Sequence, residues 1–174
     1  MKILFFAVVI IFMSISCNQT GKADSKESSI DGDTQQLYEQ NLVTLKTFIT
    51  DFEKENLDGQ AALIADSAWY SSSAYGDTVH TKKHWLEGQK YFMDNSSNLH
   101  LSNAQFLPGI DSATHQFDGS VRYYGTWNGV HSTGYTQQVK FYGTYEFNKD
   151  HRIISGNDYF DLGGMMNAIN SRGK

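Results

Sequence analysis

An aspartate stands where a strand would normally bury an apolar side chain. In "RIISGNDYFDLGG", residues 152–164, Arg152, Ile153 and Ile154 open as a strand should. Ser155, Gly156, Asn157 and Asp158 then precede Tyr159 and Phe160. Such a middle belongs either to a wet face or to the wall of a cavity that something occupies. A carboxyl group among Tyr, Trp and Phe has its charged form disfavoured by desolvation, which raises its pKa toward values useful to a general base. A second candidate stretch is "VRYYGTWN", which alternates with the period of a strand. Val121, Tyr123, Gly125 and Trp127 share one face, and Arg122, Tyr124, Thr126 and Asn128 the other. Arg122, Tyr124 and Asp158 could form a binding cluster, the Arg held by the Asp and the phenol donating to a ligand oxygen. A structural Arg–Asp pair on the sheet surface is the competing reading.

Other chemistries find less support. Of the six histidines, His80 and His84 have i, i+4 spacing, but Thr81 reads as a helix cap between them, so no metal site is expected. No GxSxG, P-loop or GxGxxG motif is present, so neither a nucleophile elbow nor a nucleotide cradle is signalled and no cofactor is expected. Trp69, Trp85 and Trp127 are core candidates that could also wall an apolar cavity.

The elements that must position these residues divide into helices first and strands afterwards. Tyr38, Leu42, Leu45, Phe48, Ile49 and Phe52 form one apolar stripe of helical spacing, with Asp33 as its cap. Asn56 caps a shorter helix, and "SAWYSSSAY" and "DTVHT" read as two short strands around Gly76-Asp77. Thr81 caps a third helix over 82–94. The chain then turns to Tyr, Phe, Thr and Val, with strands predicted over 101–107, 116–130, 136–147 and 152–160. Pro108-Gly109, Asp118-Gly119 and Asn148-Lys149-Asp150 read as turns, and Asn128-Gly129 competes with Ser132 to Gly134 for another. Asp161 caps a terminal helix carrying Met165, Met166 and Ile169. This order predicts an α+β domain with helices packed on one face of a curved antiparallel sheet.

The first residues predict export. Lys2 precedes an unbroken apolar run, Ile3 to Met13, of signal-peptide length and too short to span a bilayer. Small residues lead to Cys17, the one cysteine, which has no partner for an internal disulfide. "SISCN" resembles the lipobox of bacterial lipoproteins, with Ser14 where that pattern has Leu. The resemblance implies a signal peptide over 1–17, acylation of Cys17, and anchoring to a lipid membrane at the periplasmic side or cell surface; a free cysteine in a signal cleaved elsewhere is the alternative. Residues 18–33 are polar and read as a flexible tether, leaving one domain over 34–170. A net charge of -5 and the lack of a Lys/Arg cluster argue against nucleic acid as a partner.

Three landmarks in order, "ALIADSAWY", "GTWNGVHSTG" and "KFYGTYEFNKDHRIISGNDYFDLGGMMNAI", resemble the SnoaL-like group of the nuclear transport factor 2-like superfamily. The resemblance implies a cone, in which a curved sheet wraps a long N-terminal helix and leaves an apolar pocket. It also implies a homodimer, formed through the sheet face away from the helices. It places Asp158 where several enzyme members carry a working carboxylate, and His131 at the pocket rim. Regular alternation would aim Ile154, Gly156, Asp158 and Phe160 into the cone, near Arg122 and Tyr124. Tyr70, Tyr124 and Tyr142 are the first candidates for a phenol partner, and Trp69 and Trp85 for pocket walls. Epoxide-hydrolase relatives use a second acid where this chain has Tyr124. That absence tilts the expectation toward a module binding a small apolar or aromatic molecule, or a partner, without catalysis. The alternative is an isomerase, cyclase or hydrolase with Asp158 as general base.

Overall fold

The computed structural model describes residues 32–172. The expected signal segment, Cys17 and most of the expected tether lie outside the described residues. Ten elements follow one another: α1 (Gly32–Glu53), α2 (Leu57–Leu63), β1 (Ile64–Ser71), β2 (His80–Thr81), α3 (Lys82–Asn95), β3 (Ser96–Ile110), β4 (Phe117–His131), β5 (Thr136–Phe147), β6 (Ile153–Tyr159) and α4 (Leu162–Arg172). The strands make one curved, unclosed sheet in the order β2-β1-β6-β5-β4-β3. Every neighbouring pair is antiparallel except β1 with β6, which run parallel. This is the expected α+β cone.

The stripe predicted for α1 is the one it buries: Leu45, Phe48 and Ile49 enter the core, with Tyr38 and Leu42 packed against it. The helix starts at Gly32, so Asp33 lies in its first turn instead of capping it from a tether; an acid there still favours the helix dipole. Asn56 caps α2 by accepting the Gly59 N–H at 3.1 Å, and Asp161 caps α4 by accepting that of Gly164 at 2.8 Å. Thr81 occupies the N-cap of α3 without a side-chain cap bond; its hydroxyl lies 3.2 Å from His84 Nδ1 instead.

Two predicted turns are absorbed by the sheet. Pro108-Gly109 lies within β3, where the pairing with β4 shifts register, and Asp118-Gly119 lies within β4. The reversal between them is made by residues 111–116, where the Asp111 carboxylate accepts the N–H groups of Ala113 and Thr114. Asn128 and Gly129 pair across mid-strand with Gln138 and Gln137. The competing site, Ser132 to Gly134, makes the β4–β5 turn, with Gly134 in the left-handed region at φ +81°. The core is aromatic and lies between α1, α3 and the concave face: Phe48, Trp85, Tyr123 and Tyr145 are all buried there.

Candidate functional site

The unusual middle of β6 is explained by what stands around Gly156. Tyr70 on β1 and Tyr145 on β5 are both cross-strand partners of this one glycine, from opposite sides. Trp85 from α3 lies over it; a Cβ on Gly156 would come within 2.6 Å of the indole. The ring stacks on Tyr70 at 4.9 Å and 9°. No larger residue fits beneath that ring without displacing it. Gly143, the partner of Asp158 on β5, plays the same part for Tyr123, Phe141 and Tyr145, each of which would lie within 3.0 Å of an added Cβ.

The two phenols that flank Gly156 converge on the acid two residues further along. Tyr70 donates to Asp158 Oδ2 at 2.9 Å and Tyr145 to Oδ1 at 2.7 Å. The carboxyl is 6% exposed, and among the described residues no lysine, arginine or histidine forms an ion pair with it. Burial pushes it up from 3.8 to about 6, with the hydrogen bonds from Tyr145 and Tyr70 opposing the rise. Burial, and then the Asp158 charge, raise Tyr70, Tyr123 and Tyr145 as well, so these phenols keep their protons and act as donors. Ser73, in the loop after β1, ties the strand in place: its Oγ donates to the Asp158 carbonyl at 2.6 Å and accepts the Phe160 N–H at 2.9 Å.

Asp158 forms part of the wall of a cavity of about 90 Å³ between α1, α3, α4 and the concave face. Half of the lining residues are aromatic, among them Phe52, Phe92, Trp127, Phe141 and Phe160, while Gln60, Gln89 and Gln137 add neutral polar groups. Gln60 is fully buried; its Nε2 donates to the Phe48 carbonyl at 3.1 Å and its Oε1 has no partner. Trp127 donates from Nε1 to the Tyr123 hydroxyl at 3.2 Å and meets Phe52 edge-on at 5.0 Å. The arrangement can hold an apolar body and exchange a proton with it at one end.

The sequence-predicted residues are distributed over both faces. Asp158 and Tyr70 come together. Arg122 and Tyr124 do not join them: the alternation of β4 is as predicted, but it is the Val121–Tyr123–Trp127 face that turns inward, because that face carries the apolar area. The Arg122 guanidinium donates through Nε and Nη2 to the Pro108 carbonyl at 3.2 and 2.7 Å. Tyr142 is also on the convex face, stacked between Tyr124 at 4.6 Å and Tyr159 at 5.5 Å. Trp69, 38% exposed, lies on that side too, whereas Trp85 is 1% exposed and holds Tyr70 from behind without lining the cavity. His131 is buried at the β4–β5 turn, its Nδ1 accepting the Thr133 N–H at 3.2 Å, and does not line the cavity. A register shift between Glu146 and Phe147 makes Ile154 an extra residue, so Ile153 rather than Ile154 shares the inner face with Gly156 and Asp158.

Tyr145, Tyr123 and Gln60 were not anticipated. A signal for the first lay in "KFYGTYEF", where Phe141, Gly143, Tyr145 and Phe147 form the more apolar of the two alternating sets. Gln60 carried no signal beyond being polar on a short helix.

No family model matches the chain, and no curated protein matches it in sequence. Solved structures do match. The pinacolase BvnE from Penicillium brevicompactum superposes with TM-score 0.64 at 12% identity, covering 79% of this chain and 99% of its own. A nuclear transport factor 2-like protein from Burkholderia pseudomallei gives 0.59 at 18%, covering 75% and 97%. A protein of ketosteroid isomerase-like fold from Catenulispora acidiphila, in complex with trimethylamine, gives 0.57 at 15%, covering 73% and 92%. The chain therefore has the nuclear transport factor 2-like fold, as its α+β cone and its interior cavity had indicated.

Proposed function

We propose that the domain binds a small, largely apolar molecule in the cone and that Asp158 exchanges a proton with it, in the manner of an isomerase or cyclase. One observation carries this reading: the carboxylate sits in an aromatic cavity, with two phenol donors and, among the described residues, no cation beside it. An acid that loses its proton near pH 6 is a base at neutral pH, and the neighbouring phenols stay protonated to donate. Tyr124 faces away from the cavity, so the lack of an acid at that position has no bearing on the site, and proton shuttling needs a single carboxyl. Matches to a pinacolase and to a protein holding trimethylamine are in keeping with a ligand-sized interior. Carbon-13 NMR of the Asp158 carboxyl in the free protein tests the reading. A titration midpoint near 6 is expected, and one at or below 4 would defeat proton exchange as the role of this group.

The same reading places the domain at the cell envelope, held through acylated Cys17, and pairs it with a second copy through the convex sheet face. The exposed Tyr124 and Tyr159, with the half-buried Tyr142 stacked between them, supply apolar area for that pairing. The Cys17→Ala chain should move from the membrane to the soluble fraction, and light scattering at tens of micromolar should return a dimer mass. Retained membrane association would remove the anchor, and a monomer mass would remove the dimer.

A further inference from the structure

The cavity wall holds one acid, Asp158, and among the described residues no cation. The Tyr70 and Tyr145 hydroxyl protons are both committed to Asp158, and the Tyr123 hydroxyl accepts from Trp127. Gln60 uses its amide N–H on the Phe48 carbonyl, which can only accept, so the unpartnered atom is the Oε1 acceptor. The wall thus offers a ligand a carboxylate without a counter-ion among the described residues and an unpartnered, fully buried amide oxygen, both of them acceptors. A ligand presenting a carboxylate or a phosphate would set its negative charge against that of Asp158. Half of the lining residues are aromatic, and their faces attract cations.

From this inventory we propose that the natural ligand is a small protonated amine with apolar substituents, its ammonium N–H directed to Asp158 and its alkyl or aryl groups against Phe92, Trp127, Phe141 and Phe160. The inference rests on the cavity being a ligand site, as the preceding section holds, and adds the sign of the ligand's charge. The ammonium supplies the counter-ion that Asp158 lacks and turns its two-donor environment into a fully satisfied one. The titratable groups facing Asp158 are the phenols of Tyr70, Tyr123 and Tyr145, from β1, β4 and β5; all remain neutral through the range in which the acid ionises.

The test uses two near-isosteric probes, tert-butylammonium and tert-butanol, titrated into the full-length chain by NMR at pH 7.5. The amine should bind at least about tenfold more tightly than the alcohol. Its affinity should fall as pH drops through about 6, by roughly tenfold per unit below the midpoint, while that of the alcohol stays level. Asp158→Asn should erase the preference and keep alcohol binding; if that variant fails to fold, the pH dependence of the wild-type chain decides alone. Equal affinities, or an amine affinity independent of pH between 5 and 7.5, would overturn the cationic assignment. In that event alcohol binding would still support a ligand cavity, and the carboxyl titration in the free protein would still decide the acid–base role.

Discussion

Six tyrosines on one sheet lead two different lives. Tyr70, Tyr123 and Tyr145 project from the concave face, buried or nearly so, with two of them donating to a carboxylate. Tyr124, Tyr142 and Tyr159 project from the convex face and stack ring on ring in a partly solvated row. Tyr123 and Tyr124 are neighbours in sequence, and so are Phe141 and Tyr142. Residue type says almost nothing about role here, and the side of the sheet says nearly everything. On the concave side a phenol is desolvated and must find a partner, so its hydroxyl becomes a fixed donor. On the convex side water satisfies it and the ring provides the contact surface.

The largest expected contrast is between two tryptophans. Trp85→Ala removes the ring that fills the space above Gly156 and should cost about 3–5 kcal/mol in urea unfolding. Trp69→Ala, on the convex face, should cost under about 1 kcal/mol. Comparable losses would show that the two faces are not energetically distinct.

Next in size is the pH dependence. Asp158 has a folded-state pKa raised from 3.8 to about 6, so its charged form is the one the fold disfavours. Between these values the native state holds more protons than the unfolded one. The group therefore lowers stability progressively as pH rises from about 4 to 6, by up to about 3 kcal/mol. Asp158→Asn removes that penalty, so the stability of the variant relative to wild type should improve across this window and level off above it. A difference that is flat with pH would mean that the carboxyl is not desolvated.

The smallest contrast is a hydroxyl on each side. Tyr145→Phe leaves Asp158 with one donor instead of two; it should cost about 1–3 kcal/mol at pH 7 and raise the carboxyl's midpoint further. Tyr142→Phe should change stability by less than about 0.5 kcal/mol and leave the midpoint in place. If both variants shift the Asp158 titration equally, the donor assignment fails.

Much of the fold was legible because periodicity is a local property. The stripe of α1, the cap residues Asn56 and Asp161, and the alternating sets in β4 and β5 can all be read without knowing the tertiary structure. What alternation leaves open is which set faces inward, and the presence of Arg122 and Tyr124 in one set drew the expected site to the wrong side. The more apolar set, with Val121, Tyr123 and Trp127, was the better guide, since a core selects area before chemistry. Asp158 was legible as an anomaly within an otherwise strand-like run. Its partner Tyr145 was not, because the pairing of β5 with β6 depends on a turn of uncertain length and on the extra residue at Ile154. Pro108-Gly109 misled for a related reason: a bulge in a long hairpin uses the same residues as a turn.

The parallel pairing of β1 with β6 closes the site across a long stretch of chain. Tyr70 and Asp158 lie 88 residues apart, while β3, β4 and β5 are joined by short reversals between successive strands. A chain emerging from its N-terminus can close those hairpins and wrap much of α1 while the slot between β1 and β5 is still empty. Until then Tyr70 and Tyr145 have no acid between them and the cavity carries no formal charge from Asp158. The strand that completes the sheet is the same strand that brings the ionisable group. An incompletely folded domain thus lacks its buried carboxyl, which stands between its two phenols only in a finished one.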